Sequence, residues 1–301
     1  MNASLQLILR AVLCAMFLLC SCTPRSRGRI TTEGYRPVDA AGKASMISAI
    51  EAQNAQIRSV RARIETRLRH RAGEENPTLA AVFIYPEVLR LEFFATALNR
   101  LSALIIADAQ ELRAINLNKM QAFAGASSSE NLQKLLAIPF VPEEFMRWLA
   151  GRAAVSSDQE QQAEIMRHDR TNHALVILPG AERKLVLLLD LAGCTDTSRL
   201  ISAEARCPLL IASELTDEDG RTIIYSSYNY DLSGAENLVF PSRISFSLPQ
   251  LAVSGELNMR EVRVNADLSQ EKERLFTLRF PAGMQAISLD DLVRDSVDPL
   301  F

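Results

Sequence analysis

From residue 60 the chain alternates strictly. Val60, Ala62, Ile64, Thr66 and Leu68 take turns with Arg61, Arg63, Glu65, Arg67 and Arg69. A two-residue period places successive side chains on opposite faces of a strand, here one dry and one wet. Further apolar-rich runs follow at residues 78–85, 87–94, 101–107, 111–116 and 119–124, each bounded by a turn signal such as Tyr85-Pro86 or Asp108-Ala109-Gln110. No segment long enough for a crossover helix separates them. The sheet must therefore be antiparallel, which excludes a doubly wound α/β fold. The arginines of the wet face are read as a solvated outer surface in preference to a polyanion site.

Three stretches change the period. Between residues 43 and 58, Met46, Ile47, Ile50 and Ile57 recur at helical spacing with polar residues between them. Ser127-Ser128-Ser129-Glu130 offers a cap for a short helix over 131–137, which Pro139 stops. Val141-Pro142-Glu143-Glu144 starts another, with proline in the first turn and two acids where the helix dipole favours them. Its apolar residues Phe145, Trp148 and Leu149 share one face, so both helices must pack on the sheet. The polar stretch 153–169 reads as a loop. Strands resume at 173–178, 184–191, 199–205, 209–215, 221–231, 243–248, 257–267 and 275–280, and the tail from 282 onward shows little periodicity.

The first residues carry their own signal. Arg10 precedes an apolar run from Ala11 to Cys20, the layout of a secretory signal peptide. The run is about half the 20 residues a spanning helix needs, so cleavage is expected. Leu19-Cys20-Ser21-Cys22 resembles a bacterial lipobox, with Leu19 and Ser21 in the places that precede the lipidated cysteine. Cys22 is the expected acceptor. Residues 1–21 are then the signal, and 22–42 a lipidated flexible tether rich in Pro, Gly, Ser and Arg. Arg25, Arg27 and Arg29 lie near the lipid and suit anionic headgroups, and a plain solvated linker fits them equally. Cys194 and Cys207 remain as an even pair. An oxidising compartment would join them, and two separately buried thiols are the alternative. The chain is mildly acidic, with 33 Lys and Arg against 36 Asp and Glu, which argues against nucleic acid as a partner.

A lipobox, one helix, six strands, a two-helix insertion and a second run of strands together resemble the LolA/LolB fold. More narrowly, the chain resembles the LolB-like outer-membrane lipoproteins. The stretches that carry the likeness are Leu89-Arg90-Leu91-Glu92-Phe93-Phe94, Asn131-Leu132-Gln133-Lys134-Leu135-Leu136, and Pro142-Glu143-Glu144-Phe145. The resemblance implies a mainly β domain over residues 43–283, with 284–301 as a tail. Its form would be an unclosed antiparallel barrel with helices over the concave face and an apolar cavity for lipoprotein acyl chains. It also implies a membrane-touching leucine after the third strand. Leu98 falls there, although the flanking proline and glycine of the family are missing from Thr96-Ala97-Leu98-Asn99.

Inward positions expected to line such a cavity are Ile64, Leu91, Phe93, Ile105, Ile244 and Phe246 from strands, and Leu135, Phe145 and Trp148 from the helical cover. Each would otherwise serve as ordinary core. The implied partners are the membrane, through the lipid anchor, a lipoprotein or lipid cargo, and a periplasmic LolA-like carrier. Thr23 after Cys22, where an aspartate commonly retains lipoproteins in the inner membrane, fits the periplasmic side of the outer membrane. No catalytic elbow, phosphate-binding glycine loop or zinc motif occurs. His168, Asp169 and His173 have a spacing that suits neither a helix face nor a strand face. The expectation is a non-enzymatic protein without metal or cofactor. The competing reading is a structural accessory of an envelope assembly with a filled core.

Overall fold

The computed structural model describes residues 29–95, 100–153, 162–180, 182–192, 208–231, 239–281 and 283–292. Met1–Thr31 form one unit and Thr32–Phe301 another; the fold described here is that of the second. Cys22, Leu98, Cys194, Cys207 and the strand expected at 199–205 lie outside the described residues.

The strict alternation at residue 60 becomes β2 (Ser59–His70), with Val60, Ala62, Ile64, Thr66 and Leu68 all buried. Five more strands follow it as a meander: β4 (Thr78–Ile84), β5 (Val88–Ala95), β6 (Arg100–Asp108), β7 (Glu111–Asn116) and β8 (Gln121–Ala126). A second meander comprises β9 (Glu164–His168), β10 (His173–Pro179), β11 (Arg183–Asp190), β12 (Leu209–Asp217), β13 (Thr222–Tyr230), β14 (Pro241–Leu248) and β15 (Val253–Val264). Antiparallel pairing of β15 with β2, from Ser254↔Arg69 to Val264↔Val60, joins the two into one sheet. A bulge between Arg260 and Arg263 interrupts that seam, with Glu261 at a positive φ of 48°, a device that bends a strand locally. The sheet is unclosed. Its described edges are β1 (Tyr35–Pro37) and β16 (Ala286–Ser288), and the short β3 (Gly73–Glu75) pairs with β2 off the main order.

Three helices pack on one face. Helix α1 (Ala40–Ala55) is capped by the Asp39 side chain, which accepts from the Gly42 amide at 2.8 Å, and buries Met46, Ile47 and Ile50. Helices α2 (Ser129–Leu136) and α3 (Pro142–Leu149) form the insertion between the meanders. Their apolar residues join the inward side chains of both meanders in one continuous core. The mainly β, unclosed, helix-covered architecture expected from the sequence is the one observed.

Several boundaries differ from the sequence reading. Residues 35–37 were expected in the tether but form β1, paired with β9, and α1 begins at Ala40. The polar stretch 153–169 contains β9 itself. β1 is an edge strand and β9 lies next to it, at a margin of the sheet where charged and polar side chains are common. The tail contributes β16, which runs parallel to β8, so the sheet is not wholly antiparallel, and Leu289 is fully buried.

Residues 275–280 were expected to be a strand. They instead end α4 (Lys272–Phe276) and continue as an irregular strap across the outer face. Leu278, with Phe276, Phe280 and Met284, packs there on Val88, Leu104, Ile106 and Ile115. An apolar run shows that a segment is buried but does not show which partner supplies its hydrogen bonds.

The arginine row of β2 faces outward and is met by carboxylates: Arg61 by Glu271 at 3.2 Å, and Arg67 and Arg69 by Glu74 at 3.3 and 3.0 Å. Arg61, with Arg274, holds the Glu271 carboxyl below the ordinary carboxylate range. A depressed acid stabilises the fold above its unfolded pKa and loses that contribution as pH falls through the folded one. Glu271→Gln should therefore lower the melting temperature slightly at pH 7, with the difference from wild type vanishing as pH drops below the carboxylate range. A pH series of thermal melts checks this.

Candidate functional site

The two helices of the insertion are short because the chain stops them both. At the start of α2 the Ser128 hydroxyl accepts from the Asn131 amide at 3.1 Å. The helix ends at Ala137, which adopts a left-handed conformation with φ 56°, and Pro139 follows. In α3, Pro142 occupies the first turn and Glu144 reaches back to accept from the Val141 amide at 3.1 Å. Its stripe of Phe145, Met146, Trp148 and Leu149 turns down onto the sheet. An aromatic cluster results. Trp148 lies 5.6 Å from Phe145, 6.1 Å from Phe140 and 5.7 Å from Phe246 between ring centroids, the last edge-on. The indole Nε1–H donates to the fully buried Ser226 hydroxyl of β13 at 2.8 Å.

Between this cluster and one end of the sheet lies a cavity of about 300 Å³. Leu68 of β2, Leu79 of β4, Phe93 of β5, Phe246 and Leu248 of β14, and Val253 and Leu257 of β15 form its sheet side. Leu136, Ala137, Ile138, Phe145 and Trp148 form its cover. The one hydroxyl among the strand side chains, Thr66, is already engaged, donating to the carbonyl of Pro77, which also lines the space, at 2.5 Å. Charge occurs only at the rim, where His70 Nε2 lies 3.4 Å from a Glu75 carboxylate oxygen. The interior therefore offers no polar anchor, and only apolar matter can enter without losing hydrogen bonds to water.

Of the nine cavity positions read from the sequence, Phe93, Phe145, Trp148 and Phe246 line this space. Ile64, Leu91, Ile105, Leu135 and Ile244 do not; each is at most 1% exposed and belongs to the packed core. The difference is one of position along the strand. Leu91 and Phe93 share a face two residues apart, as do Ile244, Phe246 and Leu248, and the cavity lies at one end of that face. Period two gives the face but not the end. Leu68, Leu79, Leu248 and Leu257 were missed for the same reason, whereas Leu136 lies on a helix and Val253 outside the expected strands.

Gly255 shapes the cavity from behind. It stands opposite Phe246 on one side and Leu68 on the other in the sheet. A Cβ there would meet Phe246 Cζ at 2.6 Å and Leu68 Cδ2 at 2.9 Å. The glycine thus lets the tip of the Phe246 ring approach the backbone closely, as aromatics do over strand glycines. Among the described residues no three His, Cys, Asp or Glu side chains converge as a metal site.

No protein-family model matches the chain, and no curated protein matches it. Solved structures do. A DUF1329 family protein from Desulfovibrio piger is similar at a TM-score of 0.54 and 8% identity, over 78% of this chain and 96% of that one; the two share a fold. A LolA superfamily protein from Nitrosomonas europaea gives 0.47 at 14% identity over 78% and 97% of the two chains. A Vibrio parahaemolyticus domain ascribed to outer membrane lipoprotein sorting gives 0.48 at 12% over 78% and 100%.

Two substitutions probe the site. Gly255→Ala should push the Phe246 ring into the cavity, costing about 1–3 kcal/mol by overpacking and reducing uptake of an apolar probe. Urea unfolding and probe fluorescence measure the two effects. Ser226→Ala leaves the Trp148 N–H buried without an acceptor and should cost about 1–3 kcal/mol, read as a lowered urea midpoint.

Proposed function

We propose that the cavity takes the acyl part of a lipoprotein or a similar amphiphile, one chain at a time. The observation that carries this is a 300 Å³ space with apolar walls and a charged rim. A cavity of 150 Å³ takes benzene, so twice that volume suits roughly ten to twelve carbons of one chain. At about 0.8 kcal/mol per buried methylene, ten methylenes contribute about 8 kcal/mol before any ordering cost. Micromolar affinity is therefore the ceiling, which suits a protein that passes its cargo on. A longer chain would leave its polar end at His70 and Glu75, in contact with water.

In this reading the protein is non-enzymatic and is held by lipid on Cys22 at the periplasmic side of the outer membrane. It acts there as acceptor or carrier, receiving cargo from a LolA-like partner. No described helix is long and apolar enough to cross a membrane. The alternative, an accessory lipoprotein of an envelope assembly, is favoured by the solid packing at Ile64, Leu91, Ile105, Leu135 and Ile244. Those positions make most of the interior core and not cavity.

Mass spectrometry of lipid that co-purifies with the full chain separates the two. Wild type should carry acyl chains. Leu257→Trp, which fills the cavity with an apolar ring, should carry at least tenfold less while keeping a cooperative unfolding transition. Equal lipid content in both proteins, or none in either, would leave only the accessory reading.

A further inference from the structure

A second cleft, of about 570 Å³, lies against α3 and strands β10–β13, and Trp148 belongs to the walls of both spaces. This one is half polar in character and ends at a charge. Arg152, just beyond α3, is 5% exposed. One terminal nitrogen donates to the Val239 carbonyl at 3.2 Å. Its Nε has no hydrogen-bond partner, and among the described residues no carboxylate pairs with the guanidinium. Burial pulls its pKa down to about 10, so it stays charged at neutral pH. A buried charge without a partner is costly, and proteins rarely keep one idle.

The neighbouring groups do not neutralise it. Asn54 Oδ1, also unpartnered, shares with Arg152 a void of about 10 Å³, room for one water at most. Such a water would satisfy a hydrogen bond but supply no countercharge. The acids of the cleft are engaged or distant from its floor: Glu143 accepts from Arg147 at 2.7 Å and from Tyr85 at 2.8 Å, Glu144 accepts from the Val141 amide, and Glu182 is exposed. Two hydroxyls do face the cleft, Ser213 and Tyr228, 3.3 Å apart. Burial raises the Tyr228 pKa, so its phenol remains a donor. Leu178, Leu187 and Leu215 line the rest.

We propose that this second cleft is an anion site, in which Arg152 and the Ser213 and Tyr228 hydroxyls receive a phosphate or carboxylate group. A guanidinium presents paired donors to such a group, and the leucine wall favours an anion that carries an alkyl tail. The proposal is independent of the acyl-chain reading of the first cavity.

The test titrates the full chain, in nonionic detergent, with inorganic phosphate, hexyl phosphate and hexanol. The fluorescence of Trp148, the single tryptophan of the chain, and the melting temperature are followed. Hexyl phosphate should bind, at least tenfold more weakly to Arg152→Met, while any response to hexanol is the same in both proteins. Arg152→Lys should fall between them, and Ser213→Ala should weaken binding at least threefold, which keeps the test sharp should Arg152→Met fold poorly. If inorganic phosphate binds as tightly as hexyl phosphate with the same Arg152 dependence, the site serves a free anion; if only the alkyl ester binds, it serves a headgroup. Hexyl phosphate that fails to bind wild type, or binds the Arg152 and Ser213 variants as it binds wild type, overturns the proposal. Failure of the first cavity would show separately, in the lipid content of Leu257→Trp.

Discussion

The pairing of β15 with β2 holds the molecule together. These two twelve-residue strands come from opposite ends of the domain and meet in the middle of the sheet. Each meander can form from local hairpins, but the seam brings together residues nearly two hundred positions apart in sequence. Its loop-closure entropy must be overcome before any contact across it is gained. The compensation is apolar. Ile64 faces Met259 and Leu68 faces Gly255 on the inward side, where both meanders and all three helices of the cover share one core.

A cavity follows from a mismatch of lengths. Each helix of the insertion has eight residues, about 12 Å of rise, while the central strands span roughly 40 Å. The cover reaches across only part of the concave face. Where α1, α2 and α3 lie over the strands, Ile64, Leu91, Ile105 and Ile244 are packed solid; beyond Ala137 and Trp148 the same inward rows continue as cavity wall. The anion cleft is bounded by the same helix, so α3 divides an uncharged space from a charged one, with Trp148 between them.

The outer face is handled differently in the two halves. Over β2 it is wet, and its arginines are balanced by Glu74 and Glu271. Over β5–β7 it is dry and is covered by the C-terminal strap. Arg90 sits at that boundary, bonded to Glu92 and donating to the Leu275 carbonyl at 2.5 Å. The difference is written in β6, where Leu104, Ile105 and Ile106 run together without alternation, as strands buried on both sides do.

By itself the sequence determined what local period and local capping can determine. Alternation gave antiparallel strands and their inward faces, and Ser128, Pro139 and Pro142 gave the short helices, while the unclosed, helix-covered sheet was only what the resemblance to the LolA/LolB fold implied. Those signals act over a few residues, so they survive without knowledge of neighbours. Tertiary structure alone decided which strands meet across the seam, that Tyr35–Pro37 and Ala286–Ser288 are edges, and that 275–280 is a strap. It also decided that Phe93 and Phe246 line a cavity while Leu91 and Ile244, on the same faces, do not, and that Arg152 is buried with no countercharge among the described residues. Each of these depends on how far a distant element reaches, and no periodicity in the chain records that distance.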